Sequence, residues 1–307
     1  MAKILVATEK PFAPAAVEGI KNIAQKANYE VALLEKYESK DQLLEAVADA
    51  DALIIRSDKV TKEVIEAGKN LKIVVRAGAG YDNVDLEAAS ANDVVVMNTP
   101  GQNSNAVAEL ALGMMVLLAR GGYNGKAGSE LRGKTIGIHA YGNVGRYVAE
   151  IAKGFGMEVA AHDPFVNKAD IEKDGVKVYD TVEELYSNCQ YVSLHIPAND
   201  KTKKSIGYDL LKSMPKNGVL VNTARKEVID EDGMVKIMEE RDDLKYISDI
   251  APDNADVFPQ KFEGRFFFTP KKMGAQTAEA NINAGIAAVE QIINFIEKGD
   301  RTFQVNK

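Results

Sequence analysis

The chain has 307 residues, with 38 Lys and Arg against 45 Asp and Glu, a formal net charge of −7. That balance argues against nucleic acid as the main partner, and no apolar run approaches the ~18 residues of a membrane span. One cysteine, Cys189, leaves no disulfide framework or thiolate metal site, and His139, His162 and His195 are scattered without an i, i+4 pair, so no metal is expected.

The start, MAKILVATEK, runs straight into a strand pattern without a signal-peptide core, so a cytoplasmic protein is expected. The length suits two domains. Lys3 to Ala7 reads as a strand, Ala15 to Ala27 as a helix, Val31 to Leu34 as a strand and Asp41 to Ala48 as a helix. Ala52 to Ile55, Ile73 to Val75 and Val94 to Met97 are short apolar runs of the kind that parallel strands buried on both faces show. Residues 1–99 therefore read as one doubly wound domain. Asn98-Thr99-Pro100-Gly101 breaks the pattern, a long apolar helix follows from about Asn105 to Ala119, and residues 121–128 form a loop with four glycines.

Residues 134–164 carry the most information. Thr135, Ile136 and Ile138 lead into Ala140-Tyr141-Gly142-Asn143-Val144-Gly145, a helical pattern follows, and a second apolar run ends at Asp163. Strand, glycine turn, helix, strand and acid is the layout of a dinucleotide-binding βαβ unit. Gly142 lets the backbone approach a pyrophosphate, Gly145 lets the helix pack on the strand, and the free N–H groups at the helix start favour the phosphates. Asp163 can accept hydrogen bonds from a ribose diol and would repel a 2′-phosphate, so NAD is expected rather than NADP. The first glycine position is Ala140, whose β-carbon leads us to expect a turn that avoids strongly positive φ. Further strand patterns, Tyr191 to His195, Val219 to Val221 and Tyr246 to Ser248, extend this domain over residues 100–278. An amphipathic helix from Glu279 to Ile296 is expected to return to the first domain, which would then include 279–307.

Ligands of open parallel sheets bind beyond the carboxyl ends of the strands. Arg56, Arg76 and Arg225 each stand at or just beyond such a strand end. Three guanidinium groups directed into one cleft call for a substrate with more than one negative group.

The segments Arg76-Ala77-Gly78-Ala79-Gly80, Asn98-Thr99-Pro100, the fingerprint through Asp163-Pro164, His195-Ile196-Pro197 and Asn222-Thr223-Ala224-Arg225 resemble those of the D-isomer-specific 2-hydroxyacid dehydrogenases over nearly the whole chain. Ile55-Arg56-Ser57 followed by Lys59-Val60-Thr61 is similar to the members that oxidise 3-phosphoglycerate at C2, the first step of serine biosynthesis. The resemblance implies an α/β protein of two doubly wound parallel-sheet domains, a Rossmann-like NAD domain and a flavodoxin-like substrate domain, with a cleft between them and a homodimeric assembly. It implies that Arg56 and Arg76 take the substrate phosphate, that Arg225 and the Ala77-Gly78-Ala79 turn take its carboxylate, and that Arg225 polarises the C2 oxygen. Gly142, Asn143, Val144, Gly145, Asp163, His195, Pro197, Thr202, Thr223, Ala224, Arg225, Asp249, Lys272 and Gly274 would line the cofactor. A dehydrogenase for another D-2-hydroxy acid (glycerate, lactate or a branched acid) and an NAD-sensing corepressor-like binding protein are the alternatives; a non-phosphorylated substrate would leave Arg56 without a partner.

The chain departs from the family in three places. Lys272, counted back from Gly274, falls where most members carry the catalytic histidine; counted from Pro270 the position is Lys271. Lysine serves as the acid–base group only when its pKa falls well below the solvent value of ~10.4. The glutamate that partners the histidine is Asn254 here, with Asp253 beside it, so a relay without a carboxylate is expected. The segment from Arg120 to Leu131 is shorter than the family's linker and arm, which makes the dimer less secure. The chain ends soon after the last helix, so feedback inhibition through a serine-binding domain is not expected.

Overall fold

The computed structural model describes residues 2–306, which divide into two compact units, 2–103 with 276–306, and Ser104–Ala275. In the first, β1 (Lys3–Thr8), α1 (Pro14–Lys26), β2 (Glu30–Glu35), α2 (Lys40–Val47), β3 (Ala52–Ile55), α3 (Lys62–Ala67), β4 (Ile73–Arg76), α4 (Leu86–Ala91) and β5 (Val95–Asn98) alternate. The five strands pair in parallel in the order β2-β1-β3-β4-β5, the flavodoxin-like winding. Period-two alternation divides the core between the two faces. Ile4 and Val6 pack with Phe12, Ala16 and Ile20 on one side, while Leu5 and Ala7 pack with Leu43, Val47 and Val64 on the other.

The second unit opens with α5 (Ser104–Ala119) and continues through β6 (Thr135–His139), α6 (Asn143–Gly154), β7 (Glu158–His162), α7 (Lys168–Lys173), β8 (Lys177–Val178), α8 (Val182–Asn188) and β9 (Tyr191–Leu194). Then come α9 (Tyr208–Ser213), β10 (Val219–Asn222), α10 (Glu231–Glu240), β11 (Lys245–Ser248), α11 (Val257–Lys261) and β12 (Phe266–Phe268). Its sheet runs β12-β11-β10-β9-β6-β7-β8, all parallel, which is the Rossmann order extended by one strand. The winding reverses between β6 and β9, so the switch point of this unit lies at the carboxyl ends of those two strands. One face buries Ile136 and Ile138 against α5 and α6; the other buries Val192, Leu194 and Leu220 against α8 and α10. Cys189 lies in that second layer, where burial pushes its thiol up to about 12, so it is a packing residue.

The last helix, α12 (Ala278–Lys298), belongs to the first unit and packs on α1. Thr277 caps its start by accepting from Ala280 N at 3.1 Å, and Gly299 ends it in the left-handed conformation (φ 68°). The chain beyond then stitches onto β5. Asn306 Oδ1 accepts from Val96 N at 2.7 Å, and its amide donates to Val94 O at 2.9 Å.

Candidate active site

The turn joining β6 to α6 is the most constrained part of the second unit. Ala140 has φ +80°, against the expectation of a turn that avoids positive φ. Its neighbours fix it there. Ala140 N donates to His162 O at 3.0 Å, and Tyr141 N donates to Asp163 Oδ2 at 2.7 Å. The Tyr141 ring is buried, and its hydroxyl donates to Asp174 Oδ2 at 3.0 Å, which also receives Arg146 Nη1 at 2.8 Å. Gly145 closes the other side. A β-carbon there would stand 2.5 Å from Ala140 O and 3.0 Å from Ile138 Cγ2. These anchors outweigh the ~1–2 kcal/mol that a β-carbon costs in the left-handed region.

This turn fits a dinucleotide. A β-carbon on Gly142 would meet nothing of the protein within 4 Å, so the open space above it is what a side chain there would fill. Gly142, Asn143 and Val144 begin α6, and no side chain caps its first N–H groups. Asp163 is oriented by three amides, since its Oδ1 also accepts from Phe165 N at 2.8 Å and Val166 N at 3.2 Å, and it retains acceptor capacity for a diol. The sequence reading passed over Phe165, 94% exposed beside this carboxylate; a large aromatic directly after Asp163-Pro164 was its signal.

The three histidines, scattered in sequence, stand side by side in space. His139 ends β6, His162 ends β7 in register with it, and His195 follows β9 with its N–H on His139 O at 2.9 Å. The His139 and His162 ring centroids are 6.2 Å apart, and Ser193 Oγ lies 3.0 Å from His195 Nε2. Burial, reinforced by a neighbouring imidazole, pushes His139 down to about 4 and His195 to about 3. Beyond His195, Thr202 Oγ1 donates to Pro197 O at 2.5 Å and closes the turn after β9.

A second group gathers where β10 and β11 end. The buried amide of Asn222 shapes the loop after β10, accepting from Ala224 N at 3.0 Å and donating to Arg225 O at 3.0 Å. Arg225 extends from this loop, exposed, and Thr223 Oγ1 is buried without a partner. Asp249 is 0% exposed. Its Oδ2 accepts from Gly274 N at 2.8 Å and its Oδ1 from Lys272 Nζ at 3.0 Å. Lys272 Nζ also donates to Ala224 O at 2.9 Å and Thr223 O at 3.3 Å. Lys271 is exposed, so the structure places Lys272 in the cluster. The relay glutamate's position is Asn254, as expected, but Lys272 still has a carboxylate beside it, that of Asp249. Asp253 points elsewhere and pairs with Lys226, while Asn254 is held through its N–H by Glu231 at 3.2 Å, with a buried, unpartnered Oδ1.

In the first unit, Arg56 and Arg76 are neighbours, with Arg76 Nε donating to Arg56 O at 3.0 Å. Gly78 (φ 148°) is needed here, since a β-carbon would collide with the Arg76 guanidinium. Arg56 donates to Lys10 O, Pro11 O and Asn281 Oδ1 at 3.2, 3.1 and 2.5 Å and lies 5.2 Å from the Phe12 ring centroid. It therefore has partners without a phosphate, which corrects the expectation that a non-phosphorylated substrate would leave it with none. Buried Asp58, also missed in the sequence, accepts from Arg56 N at 3.1 Å, Glu9 N at 2.7 Å and Tyr37 Oη at 3.0 Å, and so fixes the backbone that carries Arg56. Ala77 N donates to Ile55 O at 2.8 Å within the sheet and is not available to a substrate carboxylate, whereas Gly78 and Ala79 lie past the last rung.

Residues 114–259 match the family model described as D-isomer specific 2-hydroxyacid dehydrogenase, NAD binding domain. The chain is 37% identical over 276 residues to a D-3-phosphoglycerate dehydrogenase of Methanocaldococcus jannaschii, covering 83% of this chain and 51% of the relative. It is 34% identical over 282 residues to a hydroxypyruvate reductase of Thermotoga maritima, covering 86% and 90%. Among solved structures, an NAD+-bound 3-phosphoglycerate dehydrogenase of Entamoeba histolytica is 51% identical, with a TM-score of 0.85 and coverage of 100% and 99%. The chain thus spans about half the length of several phosphoglycerate dehydrogenases it matches.

Two outcomes follow from this geometry. Ala140→Gly relieves the strained φ and should leave the unfolding free energy unchanged or raise it by up to about 1 kcal/mol; a loss of about 1 kcal/mol, as at an ordinary φ, would contradict the strain. His139 titrates below the ~6.5 of a free imidazole, so the unfolded chain takes up its proton first as pH falls. Its contribution is complete above pH 6.5 and lost on the way down to about 4. His139→Gln should flatten the fall in urea-unfolding stability across that window, and an unaltered slope would count against a buried neutral imidazole.

Proposed function

The chain belongs to the D-isomer-specific 2-hydroxyacid dehydrogenases, and on that premise we propose that it interconverts D-3-phosphoglycerate and 3-phosphohydroxypyruvate with NAD, the step that opens serine synthesis. The observation that carries the reading is the Lys272–Asp249 pair beside the Arg225 loop, a proton-transfer group and a guanidinium gathered at the carboxyl ends of β10 and β11. NAD, when bound, supplies the hydride acceptor; Gly142, Asn143, Val144 and Asp163 are the residues that would hold it.

The roles of the remaining residues follow from their chemistry. Arg225 offers a planar fork to the substrate carboxylate and places positive charge near the C2 oxygen. Lys272 moves the proton of the C2 hydroxyl. In the reductive direction its ammonium, with Asp249 as counter-charge, donates to the C2 oxygen as hydride arrives at C2. In the oxidative direction Lys272 must first release a proton to water, and its neutral amine then takes the C2 hydroxyl proton. Asp249 fixes the direction of the Lys272 side chain in both cases. Arg56 and Arg76 would take the phosphate, with the N–H groups of Gly78 and Ala79 beside them.

The internal partners of Arg56 favour a second reading, a reductase for an unphosphorylated 2-oxo acid such as hydroxypyruvate, because such a substrate leaves that guanidinium satisfied. Steady-state assays with 3-phosphoglycerate and NAD, and with hydroxypyruvate and NADH, separate the two. The phosphoglycerate reading expects the larger kcat/KM for the phosphorylated pair; a larger value for hydroxypyruvate establishes the second. With the better substrate, Lys272→Ala should lower kcat about 10²–10⁴-fold with NAD affinity largely kept, whereas Lys271→Ala should change little. Full activity in Lys272→Ala would remove the lysine from proton transfer.

A further inference from the structure

The end of the seven-stranded sheet opposite the β6–α6 turn carries basic groups that the dehydrogenase chemistry does not use. A cavity of about 450 Å³ opens where β6, β9, β10 and β11 begin and α5 ends. Lys134, Lys245, Asn217, Gln190 and Ser129 supply its polar walls, and Tyr191 lies beneath Lys134. Lys134 Nζ donates to Ser129 Oγ at 3.1 Å and stands 5.9 Å from the Tyr191 ring centroid. Among the described residues no carboxylate lies within 4.0 Å of either ammonium.

The other charged groups nearby do not balance this pair. Glu130 acts on Lys134 only at a distance, and its pull is outweighed, because burial and the charge of Lys245 push Lys134 below its ordinary value. Asp243 is committed to Arg241 at 2.6 Å and to Asn217 N at 2.6 Å. That second bond holds Asn217 in a left-handed turn (φ 59°), and among the described residues the Asn217 side-chain amide has no hydrogen-bond partner. Gln190 Nε2 donates to Asn217 O at 3.3 Å. Two half-buried cations lining one cavity repel each other; an anion between the ammonium groups reverses the sign of that interaction. The chain carries a net charge of −7, so the concentration of unpaired positive charge at this one concave spot is local rather than general.

We propose that this cavity is a second anion site, which binds the dianionic phosphate group, free or on a small monoester, between Lys134 and Lys245, with Asn217 and Ser129 donating to its remaining oxygens. A bound phosphate would bridge the starts of separate strands and stabilise the nucleotide unit by mass action. The proposal does not depend on which hydroxy acid the enzyme uses.

The test is isothermal titration of the full chain, saturated with NAD so that the Gly142 turn is filled, with inorganic phosphate and, separately, with glycerol 3-phosphate, in an Arg56→Ala background that weakens the other basic cluster. One saturable event should appear and weaken at least roughly tenfold in Lys134→Met/Lys245→Met, a loss of about 1.4 kcal/mol, with NAD affinity unchanged. The tighter of the two ligands identifies the source of the phosphate. Should the double variant unfold, carbon-13 methylation of the lysines in the intact protein gives the same information. Two lysine signals, assigned through Lys134→Arg and Lys245→Arg, should move together and saturate with phosphate. No saturable event, an event that survives the double variant, or lysine signals that do not move would each overturn the proposal.

Discussion

A buried carboxylate holds together the cluster at the ends of β10 and β11. Asp249 has no solvent contact and directly follows β11, and its two oxygens are divided between the Gly274 amide and the Lys272 ammonium. An unpaired carboxylate in that position would cost several kcal/mol, so the pairing with lysine is a condition of folding. Gly274 belongs to the same constraint, since a β-carbon there would stand 2.8 Å from Asp249 Oδ2. The loop that carries Lys272 is thereby tied at two points to β11, and through the carbonyls of Thr223 and Ala224 to β10.

Parallel winding explains why so much polar chemistry collects at one edge. Every strand of the seven-stranded sheet ends on the same side, so His139, His162, Asp163, His195, Asn222 and Asp249 arrive together although they span more than a hundred residues of sequence. The same rule brings Arg56 and Arg76 together in the five-stranded sheet. Asn222 and Asp58 each set the course of a loop that bears an arginine of the proposed site.

Much of this was legible in the sequence. Continuous apolar runs such as Ala52 to Ile55, four residues long, fit strands covered on both faces, and the glycine turn with its distant acid announces the nucleotide unit. What the sequence concealed were consequences of tertiary contact. Ala140 adopts a positive φ because Tyr141, Asp163 and Gly145 hold both flanks, and none of those bonds can be read from local propensity. Asp249 was legible as a carboxylate of the site but not as the partner of Lys272, since the two are paired by the folding of the 270–274 loop and not by spacing. The histidine row was invisible for the same reason, because register and not sequence distance makes those rings neighbours.

In the proposed mechanism, Lys272 stands in for an imidazole, and the carboxylate beside it is Asp249. The account's central claim is that this ammonium, held by Asp249, exchanges the proton at the substrate's C2 oxygen. A crystal structure of the chain with NAD and 3-phosphoglycerate tests it most directly. The account predicts Lys272 Nζ within about 2.6–3.2 Å of the C2 oxygen while Asp249 remains its partner. A C2 oxygen held instead by another proton-bearing group, with Lys272 turned away from the substrate, would contradict it.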